Sequence, residues 1–319
     1  MNTVEIRIKS LRAIAKQSDE VVARSPPSNI GGRRGNLIFF IEVRDCHAHC
    51  HSLAMTATLS VLIRVHSWLN KFMVKKFLAA LQFLTIIPIP RGIRIEKQDS
   101  AGSLIFFPLV GLFMGGALLL MEISLNKFVS PLILNLLLLL VWVGITGALH
   151  LDGFADTVDG FSGGRNKEEI LKIMTDSCIG AKGAAALILF LGAKFLFLCQ
   201  LPFTFRNYAL LFTPALGRWA MVLAMTFSSY AKKEGLGRIF VEGNDKKEAL
   251  ITSLLMILLG LLLFKSFFIY LLFGILLITF LLLTIFKRRI RGITGDNLGA
   301  INEIIEVVAL LIIILGNSS

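Results

Sequence analysis

Charged residues are scarce in this chain. They make up 17% of its 319 residues, against roughly 25% in ordinary soluble domains. Hydrophobic residues account for 55% of the sequence, and the mean hydropathy is +0.75. A soluble globular protein is therefore excluded. The long apolar runs predict an integral membrane protein, because about 20 consecutive apolar residues suffice to cross the hydrocarbon core of a bilayer.

Other common signatures are also missing. Four cysteines are too few and too scattered for a disulfide framework. Neither the P-loop nor the Rossmann glycine pattern occurs. A metal tract is suggested by residues 46–51 (CHAHCH), but zinc sites usually bring two pairs of ligands from separated elements. We therefore expect no metal site there, and we read the net charge of +12 as positive loops rather than as a nucleic-acid surface.

The chain divides into two parts of different character. Residues 1–72 contain no apolar run long enough to span a membrane and no secretory signal pattern. We predict that they form a poorly structured cytoplasmic extension. At Met73 the sequence MVKKF resembles the start of a membrane protein. Residues 73–319 are then the integral membrane domain.

Seven apolar runs within that domain are candidate crossings. The stretch 249–286 has one charge, Lys265, and as one helix would be far longer than a bilayer core, so it predicts a hairpin. Residues 77–87 form a short segment stopped by Pro88 and Pro90, which suits an interfacial or re-entrant position. The predicted fold is an all-α, polytopic bundle of about seven transmembrane helices plus this N-terminal segment. The runs cover residues 102–121, 131–151, 183–203, 207–230, 249–264, 266–286 and 298–315.

Basic residues predict the orientation of the bundle. The four polar loops at 88–101, 152–182, 231–248 and 287–297 carry 16 Lys and Arg, whereas the intervening turns carry three. Positive loops lie on the cytoplasmic side. We therefore expect the N-terminus and the large polar loops in the cytoplasm and the C-terminus outside.

The second run leads into an acidic segment. Asp152, Asp156 and Asp159 share one face if the helix continues to residue 159. Their mutual repulsion is relieved by a divalent cation, and carboxylates with phosphate oxygens are ligands that Mg²⁺ prefers. The alternative is a solvated loop with acidic residues in register by chance. Phosphate contacts would come from the residues that follow, Gly163, Gly164 and Arg165.

Two further residues are candidates for the site, and each also has an alternative, structural interpretation. Asp176 precedes the third run and is either part of the site or an N-cap of the next helix. Arg218 lies midway along the fourth run, where an unpaired arginine would cost several kcal/mol. It should face a polar cavity and pair with a carboxylate or a phosphate, unless the run is shorter and places it at an interface.

The last run begins with polar residues. Asn302, Glu303 and Glu306 fall within two helical turns, and the two glutamates share a face. We expect them to face the same cavity as the aspartates. The alternative is a set of polar contacts between helices.

Four segments in order resemble cobalamin synthases, the adenosylcobinamide-GDP ribazoletransferase family. The most specific is the first of the four. They are residues 147–182, with LHLDGFADTVDG at 149–160 and MTDSCIG at 174–180, then 77–85 (FLAALQFLT), 217–221 (GRWAM) and 295–303 (GDNLGAINE). The resemblance covers about residues 73–319 and leaves the extension out.

This resemblance implies the last step of cobalamin nucleotide-loop assembly. Adenosylcobinamide-GDP and α-ribazole, or its 5′-phosphate, would give adenosylcobalamin, or its phosphate, and GMP. It also implies Mg²⁺, a multi-pass protein of the cell (inner) membrane, no nucleic-acid partner, and other enzymes of the corrinoid pathway as candidate partners.

Roles follow for the candidate residues. Asp152, Asp156 and Asp159 would hold Mg²⁺ on the pyrophosphate, and one aspartate or His150 would accept the proton of the attacking hydroxyl. Arg165 would clamp a phosphate, and Arg218 with Glu303 and Glu306 would shape the inner wall. Two other classes stay open: a lipid enzyme similar to the CDP-alcohol phosphotransferases, and a secondary transporter with midplane charges.

Overall fold

The structure is a computed structural model that describes residues 73–89, 100, 102–232, 234–243 and 246–316. The described residues form helices and one isolated parallel bridge, Tyr230 to Ile293. The extension 1–72 and most of the loop 88–101 lie outside the described residues, so the predictions made for them stay predictions. The helices are α1 (73–84), a short 3₁₀ turn (Leu104–Phe106), α2 (Phe107–Leu125), α3 (Pro131–Thr146), α4 (Leu149–Gly163), α5 (Lys167–Ile173), α6 (Ala181–Gln200), α7 (Phe203–Phe227), α8 (Leu236–Glu242), α9 (Lys246–Phe264), α10 (Phe268–Ile290) and α11 (Gly295–Gly316).

Six of the seven predicted crossings correspond to helices of 19 to 25 residues, and the second corresponds to the 16-residue α3, which is followed after a break by α4. Five helical stretches in the described chain are long and apolar enough to cross a membrane, and a sixth is added if α3 and α4 count as one broken span. One of the five, Lys246–Ile290, has 45 residues and contains both α9 and α10. The prediction of an all-α polytopic bundle is confirmed.

The predicted hairpin between α9 and α10 is confirmed by its turn and its packing. Lys265 has a left-handed backbone with φ 52°, which ends α9. On α7, Phe212 contacts both sides of the turn, with ring centroids 5.9 Å from Phe264 and 6.1 Å from Phe268. The two helices therefore run back along the same neighbour instead of forming one straight rod.

Asp152, Asp156 and Asp159 do share one helix, α4, but this helix is not a direct continuation of the second crossing. Gly147 and Ala148 both adopt left-handed backbone, with φ 60° and 61°. Their amides bond back to Gly144 and Val143, which is how a left-handed cap closes a helix. The chain then restarts as α4, bent by 85° from α3.

The centre of the bundle is α7, whose residues from Ala209 to Met225 are almost all buried. Small residues let α2 approach it closely. Carbon atoms added at Gly111 and Gly115 would collide with the α7 backbone near Ala215 and Leu211. Close backbone approach of this kind is the usual way in which membrane helices pack, because burial of apolar surface gives little gain in lipid.

Candidate active site

A half-open cavity of about 610 Å³ lies at one end of the bundle. It forms where α1 and α7 end and where α4 and α11 begin. The loop between α7 and α8 supplies the rest of the wall. The lining residues are Gln82, Phe83, Leu149, His150, Asp152, Gly153, Thr175, Met221, Tyr230, Lys232, Glu234, Gly235, Gly237, Gly295 and Asp296.

The bend before α4 places its first turn in the cavity wall. His150 and Asp152 both line the cavity. Gly153 allows α4 to lie against the start of α11, because a Cβ at this position would be 2.8 Å from the Cα of Asp296. The same helix is tied to α11 by Asn297, whose Nδ2 donates to the Thr157 hydroxyl over 3.1 Å.

Carboxylates dominate the electrostatics at this end. The Asp156 carboxylate is repelled by Asp152, Asp296 and Asp159 and attracted by Lys232. Lys232 Nζ lies 3.0 Å from Asp296 Oδ2, and both side chains keep part of their surface exposed. Three negative neighbours against one positive neighbour leave Asp156 in a negative field, which favours a bound cation.

Asp159 takes a different position from the other two aspartates of α4. Its oxygens accept hydrogen bonds from the amides of Gly180 and Gly183, each over 2.8 Å. These amides belong to the N-terminus of α6, where unpaired N–H groups and the helix dipole favour a negative charge. Asp159 thus fixes α4 to α6, and the three carboxylates do not converge.

No three His, Cys, Asp or Glu side chains in the described ranges are placed to hold a metal ion. The donor set nevertheless suits Mg²⁺, which keeps several waters and is usually bound by one or two carboxylates plus substrate phosphates. Asp156 with Asp152 or Asp296 offers such oxygens beside a cavity. The chemistry of the residues therefore fits an ion that arrives with a phosphate ligand.

Two cavity residues have polar groups of special interest. His150 is 3% exposed, and its buried Nε2 has no hydrogen-bond partner among the residues that the structure describes. The pKa of Tyr230 is raised above 10.0, first because burial disfavours the phenolate and second because Asp296 repels it; a backbone hydrogen bond with Gly295 opposes the shift.

A second polar group lies inside the bundle, and none of its members lines the cavity. We call it the buried ion network: Lys194 on α6, Arg218 on α7, and Asn302, Glu303 and Glu306 on α11. Lys194 Nζ is 3.0 Å from Glu303 Oε2 and 2.5 Å from Glu306 Oε2. Glu306 also pairs with Arg218, and Asn302 Nδ2 donates to both glutamates over 3.3 and 3.2 Å.

The buried ion network contains the partner that Arg218 was expected to need. This side chain is fully buried and pairs with a carboxylate, as expected. Asn302, Glu303 and Glu306, expected to face the cavity of the aspartates, bond instead to each other and to the two cations, and none of them lines that cavity.

The other predicted site residues lie outside the cavity wall. Arg165 is exposed, and its amide donates to Glu169 over 2.9 Å. The carbonyl of Gly164 accepts from Arg289 over 2.9 Å, and a Cβ on Gly163 would contact Ile173. The carboxylate of Asp176 accepts from the amide of Cys178 over 3.1 Å, as a local turn.

Several site residues were missed in the sequence. Asp296 belongs to a family-like segment but had no assigned role. Lys232 and Tyr230 had no signal beyond their basic loop. Lys194 did have a sequence signal, because a lysine within an apolar run, like Arg218, is costly unless it is paired.

The fold and the cavity define a polytopic helical membrane protein with an acidic cavity at one end of its bundle. Residues 76–314 match the model of the cobalamin-5-phosphate synthase family. The chain belongs to this family, which confirms the resemblance seen in the sequence.

Curated relatives carry one name, adenosylcobinamide-GDP ribazoletransferase. The protein of Clostridium botulinum (strain Okra / Type B1) is 38% identical over 247 residues, covering 77% of this chain and 99% of the relative. That of Thermoanaerobacter pseudethanolicus is 35% identical and covers 75% and 96%. That of Clostridium novyi is 36% identical and covers 74% and 95%. No solved structure matches the chain.

Proposed function

We propose that this protein is an adenosylcobinamide-GDP ribazoletransferase. A hydroxyl oxygen of α-ribazole, or of its 5′-phosphate, attacks the phosphorus bonded to the cobinamide arm. The bond from this phosphorus to the bridging oxygen of the pyrophosphate breaks, and GMP leaves with that oxygen. The hydroxyl proton passes to a base, and the product is adenosylcobalamin or its 5′-phosphate.

The structural observation that supports the proposal is the set of charged groups at the cavity. In a chain of this family, the cavity brings Asp152, Asp296 and Lys232 to one wall, with Asp156 in their field. Transfer from a pyrophosphate needs cations that hold its phosphates, and it also needs a means of spreading the charge that develops as GMP departs. Phosphoryl transfer depends almost wholly on positioning and electrostatics, and this wall offers groups for both.

Mg²⁺ is part of the proposal. Asp156, together with Asp152 or Asp296, would hold the ion, which when bound offsets the charge that develops on the phosphate oxygens. Lys232 would exchange its bond with Asp296 for a phosphate oxygen. His150 or the Asp152 carboxylate would accept the hydroxyl proton, since both residues line the cavity in the first turn of α4, where the Asp152 side chain is exposed and His150 is buried.

The active end would face the cytoplasm in the inner membrane. Support comes from the basic loops, 16 Lys and Arg against three, and from the structure, in which the acidic cavity and the loop before α8 lie together. Variants that keep Cys178 alone, or that carry a cysteine at Lys127 alone, place single thiols in a large polar loop and in a short turn. An impermeant reagent should label Cys178 only in inside-out vesicles and position 127 only in right-side-out vesicles. The reverse pattern contradicts the orientation.

The activity is tested directly in membranes. Membranes containing this protein should release GMP and form the cobalamin product when given adenosylcobinamide-GDP, α-ribazole and Mg²⁺. Omission of α-ribazole should stop GMP release, which separates transfer from simple hydrolysis. Absence of product from well-inserted protein, with either form of ribazole, contradicts the proposed function.

A further inference from the structure

The wall contributed by α1 has no role in the mechanism above. Gln82 and Phe83 line the cavity, and they belong to the family-like segment 77–85. We propose that these two residues form a subsite for a planar heteroaromatic base of one of the two substrates. This inference rests on the proposed function only for the identity of the base.

Phe83 is held in a fixed position. Its ring centroid is 4.3 Å from that of Phe240 on α8 and 5.8 Å from that of Phe107 on α2. The chain after α1 is fixed as well, because the Ile86 amide donates to the Ile145 carbonyl over 2.9 Å. An aromatic side chain that is already ordered loses little entropy on binding, which strengthens its contact with a ligand.

The chemistry of this wall differs from that of the acidic wall. Gln82 and Phe83 carry no charge, and Gln82 is exposed, so its amide offers a donor and an acceptor to the edge of a heterocycle. Met221 is buried and also lines the cavity, and thioethers make favourable contacts with aromatic rings. Stacking with hydrogen bonds at the edge is how proteins usually bind nucleobases.

The size of the cavity agrees with this assignment. Its volume of about 610 Å³ lies within the range of small-molecule sites, roughly 300–1,000 Å³. A nucleoside with its phosphates fits such a space, whereas a corrin ring with its side chains would have to lie outside it. The base is then either the guanine of the GDP group or the lower-ligand base of ribazole, and the experiment must separate these two.

The test compares two matched variants of α1. Phe83→Leu removes the ring from the cavity wall, and Phe77→Leu makes the same change on the same helix at a ring that contacts Phe106 instead, 5.9 Å away. The KM is measured for each substrate with the other at saturation. Binding of GMP and of α-ribazole to purified protein is measured separately, by changes in ligand NMR signals.

Phe83→Leu should raise the KM for one substrate roughly 5- to 100-fold, as expected for loss of one stacked base. It should weaken binding of the matching ligand by a similar factor: GMP if the base is guanine, α-ribazole if it is the lower-ligand base. Gln82→Leu should weaken the same ligand, and Phe77→Leu should weaken neither.

Three results overturn the subsite. They are unchanged affinity for both ligands in Phe83→Leu, an equal loss for both, and a loss that Phe77→Leu reproduces with a lowered melting temperature. The binding measurement does not depend on turnover. If the wild-type protein forms no cobalamin, the proposed function fails, while the binding data still decide whether Phe83 holds a base.

Discussion

The cavity and the buried ion network both bring acidic and basic side chains together, but they treat charge differently. In the network, Lys194 and Arg218 face Glu303 and Glu306, so positive and negative groups balance within the fold. At the cavity, Asp156 has three acidic neighbours and one lysine. Burial demands internal pairing, because an unpaired charge away from water is costly. The half-open cavity tolerates an imbalance, which a ligand can complete.

The same comparison separates structural residues from reactive ones. Removing a charge from the network should damage the fold, whereas removing a charge from the cavity should damage the reaction and spare the fold. Each prediction below changes one charged or polar group and measures the property that its position should affect, which is activity, stability or titration. The changes are arranged from the largest expected effect to the smallest.

Asp156→Asn should lower the rate of transfer about a thousandfold. The change keeps the shape of the side chain and removes the carboxylate on which the negative field of the cavity acts. If the bound cation stabilises the transition state by about 4 kcal/mol, loss of that contribution costs about three orders of magnitude. Turnover of the purified variant over a Mg²⁺ titration measures the effect.

Its control is Glu168→Gln on α5, which neutralises an exposed carboxylate that is not among the charges acting on Asp156. The melting temperature of Asp156→Asn should not fall, because one source of repulsion is removed. A near-normal rate with an unchanged Mg²⁺ optimum would remove Asp156 from the site.

Glu306→Gln should lower the free energy of unfolding by about 3 kcal/mol, the lower end of the cost of breaking a buried ion pair. The amide keeps hydrogen-bonding capacity but leaves Lys194 and Arg218 with one carboxylate between them. Unfolding in a detergent titration measures the loss. A stability equal to that of the wild type would mean that the two cations do not depend on Glu306.

Glu122→Gln, at the other end of the bundle, is the matched control for this variant. Glu122 pairs with Arg206 over 2.6 Å, but Arg206 also donates to Leu198 and Asn135 and is partly exposed. Because water and other acceptors remain, its loss should cost clearly less. Equal costs at the two sites would contradict the view that burial makes the network costly to break.

Much of the fold could be predicted from the sequence because lipid imposes a simple rule: backbone groups must be satisfied within the segment, so apolar runs become helices. Each run indeed became a helix, and Lys265 marked the hairpin. The break at Gly147 and Ala148 was missed because the apolar run itself continues to Leu151. A left-handed alanine has no reliable sequence signature, since only glycine adopts that backbone without cost.

The candidate site was harder to predict because it depends on helix rotation and on distant contacts. The carboxylates of α4 do share a helix, yet Asp159 meets amides that are 21 and 24 residues further along. Arg218 was expected to need a carboxylate, and Glu306 supplies it. No periodicity could show that Lys194 completes this pair, or that Asp296 of α11 lies against Gly153 of α4.

Asp159→Asn should have a smaller effect than Asp156→Asn on rate and should lower stability by about 1–2 kcal/mol, the usual cost of losing a helix cap. The asparagine keeps one acceptor oxygen and turns an NH₂ group toward the second amide. Activity and thermal unfolding, measured together, show whether Asp159 connects α4 to α6 or binds the cation. A thousandfold loss of rate with normal stability would show that Asp159 acts in the reaction.

The smallest effect concerns the phenol of Tyr230, which reports the field of the cavity. Its pKa is raised above 10.0 by burial and by Asp296. The chain has three tyrosines, so the difference in ultraviolet absorbance between the wild type and Tyr230→Phe isolates this titration. The midpoint should lie above 10, and stability linked to Tyr230 should be present below pH 10 and be lost as the pH rises through the raised pKa.

Asp296→Asn sharpens this measurement, because it removes the repelling carboxylate and frees Lys232 from its ion pair. Both changes favour the phenolate, so the Tyr230 midpoint should move down toward 10, while burial keeps it from falling far below. Glu306→Gln, which alters the network instead, should leave the midpoint where it is in the wild type. A midpoint at or below 10 in the wild type would contradict the raised pKa of Tyr230. An equal shift in both variants would mean that the cavity and the network share one electrostatic environment and that the contrast between them does not hold.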